Sequence, residues 1–151
     1  MRIVVQNVKE AHLSISNKRI TSIQKGYVLL VGFKDGDEAQ IVGKMIDKIL
    51  KMRVFQDGDG KTNLAVGEVD GEILAVPQFT LYADLANGRR PSFTKALNPL
   101  AAEKLFLLFI EELSRCYPRV FAGIFGADMQ VNLTNDGPFT LVLDSEELFH
   151  I

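Results

Sequence analysis

Hydrophobic and polar residues alternate from Arg2 to Val8 and again through Leu13-Ser14-Ile15-Ser16, the period-two signature of half-buried strands. Tyr27 to Phe33 is instead a continuous apolar run suited to a buried strand, and Gly26 and Lys34-Asp35-Gly36-Asp37 punctuate it. Residues 2–33 therefore read as β structure. From Glu38 to Met52 the period changes. Ile41, Met45, Ile46 and Ile49 fall on one side and Lys44, Lys48 and Lys51 on the other, which predicts an amphipathic helix.

Asp57-Gly58-Asp59-Gly60 begins like a calcium loop but lacks the later ligands and the closing Glu, so a tight hairpin turn is expected. Glu72 to Leu81 reads as a strand in which Pro77, having no N–H, should mark an edge or a bulge. A polar loop, Tyr82 to Asn98, follows. Asn98 then caps, and Pro99 opens, a second helix that runs to about Cys116. Two or three strands, within Arg119–Ile124, Asp128–Thr134 and Phe139–Leu143, close the chain, with what reads as a turn, Asn135-Asp136-Gly137-Pro138, before the last segment.

This order, with hairpin signals in place of strict βαβ alternation, predicts an α/β fold. The expected architecture is a layered α/β/β sandwich or barrel-like arrangement of mixed or antiparallel sheets, with two helices on one face. A chain of 151 residues should form a single domain, 1–151.

Composition narrows the function classes. Charged residues make up 24% and hydrophobic ones 47%, a globular balance that argues against disorder. No apolar run approaches the roughly 20 residues that span a bilayer, and the strand-like start lacks a signal-peptide pattern, so no membrane partner and a cytoplasmic location are expected. Cys116 is the sole cysteine, which rules out an intrachain disulfide, and His12 and His150 stand at opposite ends of the chain. No metal or other cofactor is expected. A formal charge of −2 argues against a uniformly basic nucleic-acid coat, so any RNA contact must come from a local patch, and no DNA partner is expected.

Three segments carry candidate chemistry. In Gln78-Phe79-Thr80-Leu81, Thr80 is either a β-former closing a strand or part of a pocket where strand-end N–H groups stabilise an oxyanion. A Thr nucleophile needs an adjacent base, and no histidine lies near it in sequence. Asn87 to Lys95 is a compact loop with Arg89, Arg90 and Lys95 around one aromatic residue. It is either an ordinary solvated loop or a phosphate contact, for which paired guanidinium forks are suited. Gly137-Pro138 combines backbone freedom with a fixed φ, a turn able to hold two carbonyls rigidly in one direction.

The segments Met1-Arg2-Ile3-Val4-Val5-Gln6, Gln78-Phe79-Thr80-Leu81-Tyr82-Ala83-Asp84, Gly88-Arg89-Arg90-Pro91-Ser92-Phe93 and Phe125-Gly126-Ala127-Asp128-Met129-Gln130-Val131, running into Asn135-Asp136-Gly137-Pro138, together resemble the D-aminoacyl-tRNA deacylase family. The resemblance covers essentially the whole chain in order. It implies a homodimeric enzyme that hydrolyses the ester between a D-amino acid, or mischarged glycine, and the terminal adenosine of tRNA. It also implies that Gly137-Pro138 is cis and reaches across the dimer to face Gln78, Phe79 and Thr80, rejecting L-amino acids. Catalysis would rest mainly on the 2′-hydroxyl of the tRNA, and Arg89, Arg90 and Lys95 would hold the acceptor end.

One departure stands out. The family usually has Ser before Gln-Phe-Thr, where this chain has Pro77. Two other readings follow from the residues: an esterase of small substrates with Thr80 as nucleophile, and an inactive dimeric RNA-binding module, which Pro77 would favour.

Overall fold

Strand β1 (Arg2–Ile15) is the spine of the computed structural model, which describes residues 1–151. Both alternating runs near the N-terminus belong to this one strand, apart from Ser16 in the turn that follows it. Its first half pairs antiparallel with β3 (Gly26–Gly32) and its second half with β2 (Lys18–Ile23), while its other edge carries β8 (Gln130–Asp144). β3 pairs in parallel with β6 (Glu72–Pro77), and β6 in parallel with β7 (Val120–Ala122). β2 curls back against β6 and β7, so the mixed sheet is nearly closed into a barrel.

The sheet has two buried faces. Ile3 and Val5 of β1 lie under the helices, whereas Val8, Ala11 and Leu13 lie in a smaller core with Ile23, Val28, Leu74 and Val76. The exchange happens because the register with β8 slips between Val8 and Glu10, and a bulge at Lys9 turns the alternation over.

Helix α1 (Ala39–Lys51) buries Ile41, Val42, Met45, Ile46 and Ile49, and α2 (Pro99–Cys116) buries Ala102, Phe106, Phe109 and Leu113. The two pack against each other and over the face of Ile3, Val5, Tyr27 and Leu29. Asn98 caps α2, its Oδ1 accepting from the N–H of Leu100 at 3.0 Å, a contribution of about 1 kcal/mol for caps of this kind. A short third helix, α3 (Ser145–Phe149), was not evident from the pattern.

The Asp57–Gly60 segment is a hairpin turn joining β4 (Phe55–Gln56) to β5 (Thr62–Leu64). The Asp57 carboxylate accepts from the N–H groups of Lys61 and Asp59 and from Asn63 Nδ2, which together hold its carboxyl below the usual range. Its oxygens thus close the turn itself.

Three expectations are corrected. The strand expected to reach Leu81 ends at Pro77, and Phe79–Tyr82 forms one 3₁₀ turn. Pro77 marks no bulge, and β6 is an interior strand between β3 and β7. Its pairing with β7 stops at Ala75, however, so the edge at Pro77 is only a local one. Even-numbered N–H groups of β6 face β3, as Gln78 donating to Val31 O at 2.7 Å shows, and odd-numbered ones face β7, as Ile73 donating to Arg119 O at 2.9 Å shows. Position 77 therefore faces β7 beyond its last strand residue, Ala122, where the ladder has no place for an N–H.

The third correction concerns Asn135 to Pro138. This segment does not turn the chain between two strands. β8 runs through it, with Val8 opposite Asn135 and Gln6 opposite Thr140, so Asp136-Gly137-Pro138-Phe139 forms an excursion opposite Asn7 alone. The Gly137–Pro138 peptide is cis.

Candidate active site

β6 delivers Gln78, Phe79 and Thr80 to the carboxyl end of the parallel pair β3 and β6, where the chain leaves the sheet. The 3₁₀ turn begins at Phe79 without a side-chain cap from Gln78. The leading N–H groups, at Phe79 and Thr80, are of the kind such a turn leaves unpaired, and they suit a developing negative charge.

The turn is held from two sides. A Cβ on Gly32 would lie 2.8 Å from Gln78 O, so only glycine lets the turn sit this close on β3. At the far end Arg2 donates to Leu81 O at 2.9 Å and to Asp144 Oδ2 at 2.9 Å, and its guanidinium lies 4.9 Å from the centre of the Tyr82 ring.

A pocket of about 520 Å³ opens on the helix-free face of the sheet beside this turn. Pro77, Gln78 and Phe79 form one wall, and the loop Phe125-Gly126-Ala127-Asp128-Met129 forms the other. Leu30, Val131 and Leu133 make the lining mostly apolar, and Gln6, Gln78 and Asp128 are its polar members. Asp128 is its sole ionisable side chain, and it is exposed.

Thr80 is exposed and does not line the pocket, and its Oγ1 accepts a hydrogen bond from Gln78 Nε2. That arrangement orients the two side chains against each other. It does not activate a nucleophile, which would need the hydroxyl to donate to a base.

The basic loop is stapled at its neck. Asp84 and Ser92 exchange backbone hydrogen bonds at 2.8 and 2.9 Å, and Lys95 Nζ lies 2.7 Å from Asp84 Oδ2. The Lys95 ammonium, helped by the N–H of Ala86, holds the Asp84 carboxyl below the usual carboxylate range. Lys95 is thus engaged within the loop, while Arg89 and Arg90 are exposed at its tip. Phe93 meets Phe79 edge to face, ring centres 4.9 Å apart, which fastens the loop to the pocket's rim.

Gly137 and Pro138 do not line this pocket. Asp136, Gly137 and Phe139 border a separate cavity of about 140 Å³ with Asn7, Val54 and Phe55. Within one chain, then, Gln78, Phe79 and Thr80 come together and Arg89, Arg90 and Lys95 lie nearby, but the Gly-Pro segment stands elsewhere. Sequence reasoning did not single out Gln6 or the Phe125–Met129 wall as site residues. The glycine of Phe125-Gly126-Ala127, with φ of +79°, was the available signal for a close-fitting loop there.

Comparison with known proteins decides the family. The model for D-Tyr-tRNA(Tyr) deacylase matches residues 4–144. This chain belongs to that family. A D-aminoacyl-tRNA deacylase of Lactobacillus acidophilus is 50% identical over 144 residues, covering 95% of this chain and 99% of the relative, and one of Lactobacillus helveticus is 52% identical over the same span. Among solved structures, the c-Myc DNA Unwinding Element Binding Protein superposes with a TM-score of 0.91 at 37% identity, covering 95% of this chain and 98% of that one. A probable eukaryotic D-amino acid tRNA deacylase superposes at 0.83 with 18% identity over 94% and 97% of the two chains, a likeness of fold. The deacylase family thus accounts for the mixed, nearly closed sheet and its few helices. No helix is long and apolar enough to cross a membrane.

Proposed function

We propose that this protein hydrolyses the ester of D-aminoacyl-tRNA, and of mischarged glycyl-tRNA, at the pocket beside Pro77-Gln78-Phe79. The observation that carries the proposal is chemical: the apolar pocket beside the Gln78–Thr80 turn offers no Thr–base or Cys–His pair in its lining. Such a site suits a substrate that brings its own hydroxyl. The 2′-hydroxyl beside the ester supplies it, while the pocket orients the aminoacyl group and screens it from bulk water.

Selection falls to Gly137 and Pro138. Two enantiomers offer the same groups, so discrimination requires a clash with one of them. Backbone carbonyls cannot swing aside by rotamer changes, and glycine has no side chain to be refused. Since the chain's own Gly137 is absent from its own pocket, the gate comes from a second copy in a homodimer. Val142, 63% exposed, Val4 and Leu30 are cross-strand neighbours on the helix-free face and give that copy an apolar surface. The working compartment is the cytoplasm, where charged tRNA is used.

The test is deacylation of D-, L- and glycyl-tRNA by the wild-type protein. Hydrolysis of the D- and glycyl-substrates with sparing of the L-substrate is expected. Rejection of glycine together with L would overturn selection by side-chain exclusion. Activity on free amino-acid esters without tRNA would favour Thr80 as nucleophile, the alternative that its acceptor role toward Gln78 weighs against. No activity at all would favour the binding module, for which Pro77 is a weak support because its missing N–H costs no ladder bond.

Arg89 and Arg90 are proposed to hold acceptor-stem phosphates beside the Phe79–Phe93 contact. Replacing both with Ala should weaken tRNA binding and lower the slope of log affinity against log salt by about one to two. Unchanged affinity across the titration would remove them from the interface.

A further inference from the structure

The excursion Asp136–Phe139 has a neck, and both of its feet are tied to one oxygen of the neighbouring strand. The N–H of Phe139 donates to Asn135 Oδ1 at 3.0 Å, which fixes the orientation of the Asn135 amide. Asn135 therefore presents Nδ2, and this group donates to Gln6 Oε1. The hydroxyl of Thr140 donates to the same oxygen at 3.1 Å. Asn135 and Thr140 are the two feet of the excursion, opposite Val8 and Gln6 in the ladder. Gln6 Oε1 thus ties both feet together from the neighbouring strand.

Gln6 also has a second surface. It is half-buried, lies on the helix-free face and lines the pocket beside Gln78 and Phe79. With Oε1 committed to the excursion, the side of Gln6 left for the pocket carries the amide's N–H donors. One side chain therefore touches the base of the chain's own Gly-Pro segment and the pocket that the same chain presents.

We infer that Gln6 is a positioning residue for substrate selection: it sets the height of the Gly137–Pro138 excursion and links it to the pocket of its own chain. The inference rests on the reading of this segment as a gate donated to a second copy. In that dimer each Gln6 contacts both the gate it lends out and the pocket that receives the other gate. Disturbing it relaxes the rejection of L-substrates before it slows the hydrolysis of D-substrates.

Gln6→Met keeps the length and most of the volume but removes the acceptor oxygen. Gln6→Glu keeps an acceptor at the same place and serves as the conservative variant. Both are measured as full-length proteins on D- and L-aminoacyl-tRNA, with a thermal melt alongside. Gln6→Met should lower the D-over-L ratio of kcat/KM by about tenfold, mostly through a faster L-reaction, as expected when a rigid barrier gains freedom. Gln6→Glu should recover most of the ratio. Asn135→Ala should lower the ratio at least as much, since it also removes the acceptor of the Phe139 N–H. Adding Gln6→Met to it should lower the ratio little further, because the tie the two side chains share is already lost.

An unchanged ratio in Gln6→Met with an intact melt would overturn the inference, as would losses of D- and L-activity in parallel with the folded fraction. Wild-type failure on D-aminoacyl-tRNA would instead overturn the proposed function itself. The two failures are therefore distinct.

Discussion

Gly137→Ala should lower the discrimination against L-aminoacyl-tRNA by about tenfold or more while leaving the fold largely intact. Gly137 has φ of +137°, a region that L side chains rarely adopt, and a Cβ placed there would lie 2.9 Å from Phe139 N and 3.1 Å from Phe139 Cβ. Phe139 N is the donor that fixes Asn135. Relief of the clash must therefore move the group on which the neck depends, and the displacement reaches Gln6 and Thr140 through the shared oxygen.

The backbone strain is of order 1–3 kcal/mol, which for a chain of this size lowers the melting temperature by roughly 2–12 °C. Paired measurements of the melt and of L- and D-substrate kinetics separate the two effects. A lower melting temperature with full rejection of L would make Gly137 a structural glycine and nothing more.

That segment also shows where sequence reasoning reached its limit. In β8 the residues Val131, Leu133 and Asn135 before the excursion and Phe139, Leu141 and Leu143 after it are the less exposed ones, so the alternation keeps its parity throughout. Yet Val131 and Leu133 pack against the second core while Leu141 and Leu143 pack under the helices. Odd residues are buried in both halves on opposite faces, which a period-two pattern cannot distinguish from one strand ending and another starting. What decides it is β1, long enough to pair with both halves, and that pairing spans most of the chain.

Local signals served better. The α1 stripe, the Asn98 cap with Pro99, and the Asp57–Gly60 turn are set by neighbours within a few residues, and all three stand where the pattern put them. Pro77 is the intermediate case. Its missing donor was legible, but its harmlessness depends on β7 ending at Ala122, more than forty positions along the chain.

The site divides in the same way. Gln78-Phe79-Thr80 and the basic loop are contiguous motifs, and the structure brings them together through the Phe79–Phe93 contact. Gln6 and the Phe125–Met129 wall join them only because β1 and the loop after β7 converge on the end of β6.

Replacing the terminal 2′-hydroxyl of D-aminoacyl-tRNA with hydrogen should slow deacylation by roughly 10²–10⁴-fold, the range of a lost general acid–base group. Hydrolysis requires water to add to the ester carbonyl and the 3′-oxygen to leave with a proton. The proposed donors to the oxyanion formed in between are the N–H groups of Phe79 and Thr80, at the start of the 3₁₀ turn. The lining that one chain gives the pocket holds no comparable carrier for the proton. Thr80 accepts from Gln78, no histidine lines the pocket, and Asp128, which does, is exposed to solvent. In the proposed mechanism the 2′-hydroxyl, on the ribose carbon next to the one that bears the ester, takes the proton from the attacking water and returns one to the 3′-oxygen.

Thr80→Ala and Asp128→Asn should each cost no more than about tenfold on the natural substrate, because neither removes that relay. Single-turnover deacylation of normal and 2′-deoxy substrates by the wild type and both variants makes the comparison. A 2′-deoxy substrate that is hydrolysed at nearly the normal rate, or an Asp128→Asn variant as slow as the wild type on 2′-deoxy substrate, would return the chemistry to the protein. The same outcome would leave the proposed Gly-Pro gate untouched, since such a gate acts on the side chain at binding, before any proton moves.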